Sequence, residues 1–148
     1  MSESSTSQQL VVFSLGSEEY ALPIAAVHEI IRFTEPRSVA SEVAWIRGVI
    51  GLRGKIIPIF DLAARLDLAG SGSDPGKIVI VETGTGQAGM VVGDVEEVLT
   101  VTAEQLEAVP SADTQTIESI AKIGDRLVIL LNPDGLFART GADELAAA

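Results

Sequence analysis

Short runs of β-branched and other apolar residues alternate along the chain with turns rich in glycine, proline and acidic residues. Runs of this length bounded by such turns predict β-strands. We expect five strands in the first half, near 8–15, 18–24, 27–32, 46–51 and 55–60. Five more are expected near 77–83, 87–92, 95–101, 119–123 and 126–132, with short helical turns at 61–68 and 133–137. Residues 1–7 are expected to be a disordered N-terminus, and residues 139–148 a C-terminal tail.

The apolar pattern of the first half is repeated in the second. One alignment of the halves superposes Val27 on Val95, and a slightly longer shift further along superposes Phe60 on Leu131. Identities are few, but the apolar positions agree through most of the overlap, and chance similarity between two β-rich segments is the alternative. We favour two copies of one small β unit, joined by the glycine- and serine-rich segment 69–76.

The repeat also decides between helix and strand for residues 23–31, whose apolar positions fit a helix as well as a strand. In the second copy, Gly93-Asp94 falls at the position of Ala25-Ala26. A Gly-Asp pair between β-branched residues is typical of a turn. We therefore expect strand, turn and strand in both halves.

Two five-stranded units of this size fit small β-barrels better than one open sheet. The predicted fold is all-β, with a first barrel over about 16–68, the joint at 69–76 and a second barrel over about 77–138. Pro58 lies inside an apolar run and cannot donate to a strand ladder. Its strand is therefore expected at a sheet edge or to contain a bulge.

Composition and charge restrict the function. The 148 residues include no cysteine and one histidine, which argues against a disulfide framework, thiolate chemistry or a histidine-built zinc site. A net charge of −11 argues against nucleic acid and anionic membranes as partners. The polar N-terminus does not resemble a signal peptide, and no apolar run approaches the ~20 residues of a membrane span. We expect a soluble cytoplasmic protein.

Candidate catalytic motifs are weak. His28 is expected to be a half-exposed strand residue rather than part of a catalytic triad. Residues 83–86, Thr-Gly-Thr-Gly, lack the Gly-Lys-Ser/Thr ending of a phosphate loop and are better explained as a hairpin turn. Trp45 is expected in the core or at its rim, with an interface anchor as the alternative. We expect no enzymatic activity, no metal site and no cofactor.

The segment 46–62 carries the most specific pattern of the chain. Arg53 lies at the tip of a predicted turn between two apolar runs, and Gly51 and Gly54 flank it and can adopt the positive φ angles of a tight hairpin. The guanidinium is expected to face outward without a partner of its own. From the residues alone, a solvated turn arginine and a binding residue both remain open.

This segment resembles the Gly-Val-x-Asn-Leu-Arg-Gly-x-x-x-Pro-x-x-Asp-Leu signature of the CheW family, the adaptors that couple bacterial chemoreceptors to a histidine kinase. The matching residues are Gly48, Val49, Leu52, Arg53, Gly54, Pro58, Asp61 and Leu62. The chain departs from the signature at Gly51, where the family has Asn, which removes a side chain that could brace the turn. The resemblance extends over about residues 8–138, as a single CheW-like domain.

The resemblance implies two SH3-like five-stranded barrels packed side by side, with strand 8–15 crossing over to the second barrel. It also implies a non-catalytic adaptor whose partners are the signalling tip of a methyl-accepting chemoreceptor and the regulatory domain of the CheA-type histidine kinase. The expected receptor-binding residues lie in a groove where the two copies meet, and they are Ile24, Val27, Glu29, Ile30, Arg53 and Val95. Arg53 is expected to bond a receptor carboxylate or carbonyl, and Glu29 a basic receptor residue. The resemblance does not place the kinase-binding surface.

Two alternatives stay open at this point. The same domain can serve another receptor–kinase pathway, such as surface motility or second-messenger control. A small ligand-binding β-barrel is a different class of protein, although barrels of this size fill their interiors with side chains.

Overall fold

A computed structural model of the chain describes residues 7–40, 45–66, 76–83, 86–108 and 116–136. The strands in these ranges are β1 (Gln8–Leu15), β2 (Glu18–Pro23), β3 (Val27–Arg32), β4 (Ile46–Leu52), β5 (Lys55–Asp61), β6 (Lys77–Thr83), β7 (Gly86–Val92), β8 (Val95–Val101), β9 (Leu106–Glu107), β10 (Ile117–Ile123) and β11 (Arg126–Leu131). Two short helices, α1 (Leu62–Arg65) and α2 (Pro133–Leu136), follow β5 and β11.

The predicted strands are confirmed, with bounds that differ by at most two residues, and helices α1 and α2 lie within the predicted helical turns 61–68 and 133–137. The two-residue strand β9 was not predicted. The disordered N-terminus, the C-terminal tail and the joint at 69–76 lie outside the described residues, except for Ser7 and Gly76.

The strands form two sheets, and each sheet is shared between the two halves of the chain. One has the strand order β3-β6-β7-β5-β4, and we call it the first barrel. The other has the order β8-β1-β2-β11-β10-β9, and we call it the second barrel. The all-β fold of two SH3-like barrels is therefore confirmed. Each half opens with a hairpin, β1–β2 or β6–β7, and that hairpin lies in the barrel built otherwise from the other half.

This exchange corrects the predicted division of the chain into contiguous barrels at 16–68 and 77–138. Strand β1 does cross to the second barrel, but β2 crosses with it, and β6–β7 cross in the opposite direction. The physical reason is a pair of parallel ladders between distant strands. Strand β2 pairs with β11 at Tyr20 and Ala21, and β7 pairs with β5 from Gly89 onward. A local apolar pattern does not specify which distant strand is the neighbour.

The strand pairings of the two halves correspond, except that the β10–β9 pairing is matched only by an isolated bridge between Arg37 and Val49. Strand β1 pairs with β8 as β6 pairs with β3, and the hairpin β4–β5 corresponds to β10–β11. A short 3₁₀ turn, Ile24–Ala26, separates β2 from β3, and Gly93-Asp94 separates β7 from β8. The prediction of strand, turn and strand in both copies is confirmed, and two copies of one β unit account for the topology.

Buried side chains form three clusters. One fills the interior of the second barrel and another fills the interior of the first. We call the third the inter-barrel cluster, and it consists of Phe13, Leu15, Tyr20, Leu22, Phe60, Leu62, Val79, Val81, Ala88, Met90, Val92, Leu131 and Leu136. Most of its members belong to the two exchanged hairpins, so the hairpins also hold the barrels together.

The period-two alternation of a strand explains how one hairpin serves two clusters. In β1, Leu10 and Val12 face the interior of the second barrel, whereas Phe13 and Leu15 belong to the inter-barrel cluster. Strand β6 divides residues 78–81 between two clusters in the same way. A strand buried on both faces is a continuous apolar run, which is why these segments lack a polar face.

Pro58 was predicted to mark an edge strand or a bulge. The edge strand is wrong, because β5 lies between β4 and β7. The β4–β5 pairing does contain a bulge, between Ile46 and Gly48, opposite the two residues that follow Pro58. Pro58 is opposite Val49, whose backbone N–H and C=O bond to Arg37 on the other side. The Val49–Pro58 pair therefore needs no hydrogen bond between its members. The ladder with β7 begins only at Ile59, so the missing N–H of proline leaves no gap in either ladder.

We expect the protein to unfold in one transition, because each barrel needs a hairpin from the other half. Trp45 packs against the inter-barrel cluster, so its fluorescence reports on the junction, while far-UV circular dichroism reports on all strands. The two signals should coincide in chemical denaturation. Replacing the fully buried Met90 by Ala should lower the free energy of unfolding by about 2–5 kcal/mol, whichever of the two signals is used to measure it. Separate transitions would show that the barrels are independently stable. A loss of unfolding free energy no larger than that of Leu127→Ala, at a half-exposed position, would show that the inter-barrel cluster contributes little to stability.

Candidate functional site

The signature arginine lies in a tight two-residue turn between β4 and β5. Arg53 has φ 52° and Gly54 has φ 81°, and positive φ at both central residues is the hairpin turn whose twist matches the strands. The prediction that Gly51 supplies a positive φ is wrong, because Gly51 lies in β4 opposite Ile56. A Cβ at Gly51 would have no atom within 4 Å. A side chain at this position would therefore begin in open space.

The Arg53 guanidinium has a partner within the chain, contrary to the prediction. Its Nη1 donates a hydrogen bond to Oε1 of Glu29 on β3 at 2.5 Å. The Arg53 side chain is 69% exposed and that of Glu29 is 22% exposed. The hydrogen bond from Arg53 holds the pKa of Glu29 below its ordinary value, and the bond to Glu29 raises the pKa of Arg53. The two charged residues predicted to bind a receptor therefore bind each other in the free protein.

Other signature residues have structural roles. Gly48 has φ 150°, and a Cβ there would lie 2.1 Å from the carbonyl oxygen of Arg37. Asp61 caps helix α1, since its Oδ1 accepts a hydrogen bond from the Ala64 N–H at 3.2 Å. Leu62 is buried in the inter-barrel cluster. These residues position the β4–β5 hairpin, at whose tip Arg53 remains exposed.

The third strand of each copy, β3 or β8, carries the remaining predicted site residues. The pairing of β3 with β6 shifts between Val27 and Glu29, and the pairing of β8 with β1 shifts between Val95 and Glu97. Each shift is a β-bulge at the same position of the repeat, and bulges bend a strand and redirect its side chains. The two strands are thus shaped alike in the two barrels.

The predicted apolar residues differ in exposure. Val27 and Val95, from different barrels, are half-buried and pack against the inter-barrel cluster. Ile24 is 41% exposed and Ile30 is 40% exposed. The turn that contains Ile24 touches both β1 of the second barrel and β6 of the first. These residues lie along β3, β8 and the adjoining turn. We use the name junction surface for the following five apolar residues: Ile24, Val27, Ile30, Val95 and Val98.

Val98 was not among the predicted site residues. It is an apolar residue on β8 and is 50% exposed. The alignment that superposes Val27 on Val95 also superposes Ile30 on Val98, so the repeat contained a signal that could have identified it. The copies therefore present equivalent exposed apolar residues on equivalent strands.

The residues considered for catalysis, His28 and the segment that begins at Thr83, belong to strands and to a hairpin. His28 is a half-exposed strand residue, as predicted, and its Nδ1 lies 3.3 Å from Oε2 of Glu82. Thr83 pairs with Gly86 across the β6–β7 hairpin. Within the described ranges, no group of three or more His, Asp or Glu residues is arranged to hold a metal ion. No helix in the same ranges has the length and apolar character needed to cross a bilayer.

Trp45 lies in the turn directly before β4. Trp45 packs at the rim of the inter-barrel cluster, as predicted. The Arg65 guanidinium lies 5.0 Å from the centre of the Trp45 ring. Arg65 also donates from Nε to the carbonyl oxygen of Leu136 in α2 at 3.1 Å. Trp45 is therefore a packing residue beside a cationic link between the two helices.

The Glu29–Arg53 pair can be tested by titration. The lowered pKa of Glu29 means that the pair stabilises the fold above the ordinary carboxyl pKa and is lost as pH falls through the folded-state value. Arg53→Gln should raise the Glu29 pKa toward its ordinary value, as measured by NMR of the side-chain carboxyl. Arg47→Gln, which removes the partner of Glu35 instead, is the control and should leave the Glu29 pKa unchanged. An unchanged pKa in Arg53→Gln would show that the pair does not form in solution.

The chain is similar to proteins of known role over most of its length. The family model for the CheW-like domain matches residues 9–141. The chain is 34% identical to the chemotaxis protein CheW of Klebsiella aerogenes over 136 residues, which is 88% of this chain and 82% of that protein. It is 30% identical to the chemotaxis protein CheW of Bacillus subtilis over 139 residues, 90% of this chain and 89% of that protein.

A solved structure agrees with these matches. The scaffolding protein TtCheW from Thermoanaerobacter tengcongensis superposes with a TM-score of 0.81 at 36% identity, covering 88% of this chain and 87% of that chain. The family match begins in β1 and continues past α2, so it includes both exchanged hairpins and the Arg53 turn. This chain belongs to the CheW family.

Proposed function

We propose that this chain is a non-catalytic chemotaxis adaptor that couples a methyl-accepting chemoreceptor to a CheA-type histidine kinase. The observation that carries the proposal is the family match over residues 9–141, which includes both barrels. The interiors of the two barrels are filled by side chains that are at most 8% exposed, which does not favour the ligand-binding alternative. The adaptor works in the cytoplasm, where the receptor tip and the kinase meet.

The junction surface is the proposed receptor-binding site. Ile30 and Val98 offer half-exposed apolar area on two strands of the same shape, with Ile24 beside them. Val27 and Val95 form the floor, since both are half-buried against the inter-barrel cluster. A receptor tip is a helical hairpin, and a helix binds such a surface through its apolar face.

The Glu29–Arg53 pair provides the polar rim of this site. Arg53 is 69% exposed and uses one of its five N–H donors on Glu29, so it can also bond a receptor carboxylate or carbonyl without breaking the internal pair. Glu29 is less exposed than Arg53, and its negative charge is already paired with the Arg53 guanidinium. We therefore assign the direct polar contact with the receptor to Arg53, with Glu29 orienting the guanidinium.

The kinase partner is proposed to be the regulatory domain of the CheA-type histidine kinase. Binding there uses a surface separate from the junction surface, so that one adaptor can hold both partners at once. The adaptor then transmits a receptor's conformational bias as a coupling free energy, typically about 1–3 kcal/mol.

The apolar part of the site is tested with Ile30→Ser and Val98→Ser. Each variant should weaken binding of a receptor signalling-tip fragment by about tenfold, since a half-exposed side chain buried on binding contributes roughly 1–2 kcal/mol. Leu127→Ser, at a half-exposed apolar position on β11, is the matched control and should bind like wild type. Isothermal titration gives the affinities, and chemical denaturation shows that the fold is retained. Equal weakening in all three variants would remove the support for this surface.

The charged part is tested with Arg53→Glu. Losing a charge-assisted hydrogen bond should reduce receptor affinity by about ten- to a hundredfold while kinase binding stays near wild type. The swapped variant, Arg53→Glu with Glu29→Arg, restores an internal ion pair but not a positive charge at the turn. If the swap restores receptor affinity, Arg53 acts only through its bond to Glu29, and the direct contact is ruled out.

A further inference from the structure

Arg126 at the start of β11 binds two carboxylates at once. Its Nε and Nη2 donate to the two oxygens of Glu19 at 2.8 and 3.0 Å, which is the bidentate arrangement that suits a guanidinium. Its Nη2 also donates to Oε2 of Glu97 at 2.5 Å. The Arg126 side chain is 33% exposed, about half the exposed fraction of Arg53 at 69%. Its hydrogen bonds hold the pKa of Glu19 below the ordinary value.

These three residues come from three strands of the second barrel. Glu19 lies on β2 of the exchanged hairpin, Glu97 on β8 and Arg126 on β11. The backbone ladder between β2 and β11 has only two residue pairs, at Tyr20 and Ala21. The side-chain bonds of Arg126 continue that connection beyond the ladder and tie it to β8, which carries half of the junction surface.

The beginning of β8 is held as well. The Asp94 N–H donates to Oγ of Ser14 at 3.1 Å, and the Ser14 N–H donates to the carbonyl oxygen of Asp94 at 2.8 Å. Val95 therefore lies between one fixed point at Asp94 and another at Glu97 and Arg126, and Val98 directly follows the second point.

The first barrel lacks this three-residue arrangement. The alignment that superposes Phe60 on Leu131 places Lys55 at the position of Arg126, and a lysine has no planar fork for bidentate bonding. The alignment of the third strands places Gln87 at the position of Glu19. Gln87 donates instead to Glu82 within its own hairpin, at 2.9 Å. Glu29, the counterpart of Glu97, accepts its hydrogen bond from the exposed Arg53, and His28 Nε2 lies 4.0 Å from the same carboxylate oxygen.

We propose that Arg126 is a positioning residue that fixes β8 to the exchanged hairpin and so preorganises the Val95–Val98 half of the receptor-binding surface. This inference rests on the proposed receptor binding. It deepens that function by giving the two barrels different tasks. The second barrel presents a fixed apolar wall, and the first barrel presents the exposed Arg53 to the charges of the partner. Preorganisation favours affinity because less ordering is required on binding.

The test uses the full chain with Arg126→Gln, Glu97→Gln and the double variant. Hydrogen exchange of the backbone amides is measured in the free protein, and affinity is measured with the receptor signalling-tip fragment. Arg126→Gln should speed exchange in β8 more than in β3 and weaken fragment binding by about three- to tenfold. Glu97→Gln should do the same, and the double variant should add little, because both changes break one link. Arg126→Lys should recover only part of the affinity.

Lys122→Gln is the matched control. Lys122 pairs with Glu107 at 3.4 Å between β10 and β9 of the same barrel, and neither residue belongs to β8 or to the Arg126 link, so its loss should change neither β8 exchange nor affinity. Faster exchange in all strands with unchanged affinity would overturn the positioning role. If Arg126→Gln does not fold, Glu97→Gln decides, because it leaves the Glu19–Arg126 bonds intact.

The two proposals can fail separately. If the wild-type protein does not bind the fragment, the proposed receptor binding is contradicted. The exchange data still decide the role of Arg126 in that case. If the exchange rate of backbone amides rises only in β8, Arg126 positions that strand. If the exchange rate rises equally in all strands, the positioning role is overturned.

Discussion

The burial of two hairpins on both of their faces is the interaction on which the rest of the structure depends. β1–β2 and β6–β7 each complete the barrel of the opposite half, and together they supply most of the inter-barrel cluster. Removing either hairpin from its place would expose apolar residues of two clusters at once, at about 25 cal/mol for each Å² of apolar surface. The spacing between the barrels is therefore set by the same side chains that fold them. The proposed receptor-binding surface on β3 and β8 would take its shape from that spacing.

The two barrels have equivalent strand pairings apart from β9, and their surfaces differ in charge. The bulges in β3 and β8 are at equivalent positions, and Ile30 and Val98 are equivalent exposed residues. The ion pairs that hold these strands are not equivalent, since Glu29 is held by the exposed Arg53 and Glu97 by the less exposed Arg126. A pseudosymmetric scaffold can in this way present an asymmetric surface, which suits a partner that is not itself symmetric across the junction.

The family signature is mostly a description of the fold. Gly48 allows the close approach of the Arg37 carbonyl, Asp61 caps α1 and Leu62 is buried between the barrels. Arg53 is the exception, because it is exposed at the tip of the hairpin that these residues position. The signature therefore identified the fold with little ambiguity. It could not by itself distinguish a binding arginine from one engaged in an internal pair, since both require the same turn.

Local pattern determined the strands, the turn at Gly93-Asp94 and the duplication, because period-two burial and turn chemistry depend on residues close in the chain. It also pointed to the apolar residues of β3 and β8. Tertiary structure alone decided which strands are neighbours, and so which half of the chain completes each barrel. It also decided the charge pairs, since Glu29 and Arg53 are 24 residues apart and Glu19 and Arg126 are 107 residues apart. Such partners follow from the packing of the whole core, in which the exchanged hairpins bury both faces, and no short segment contains that information.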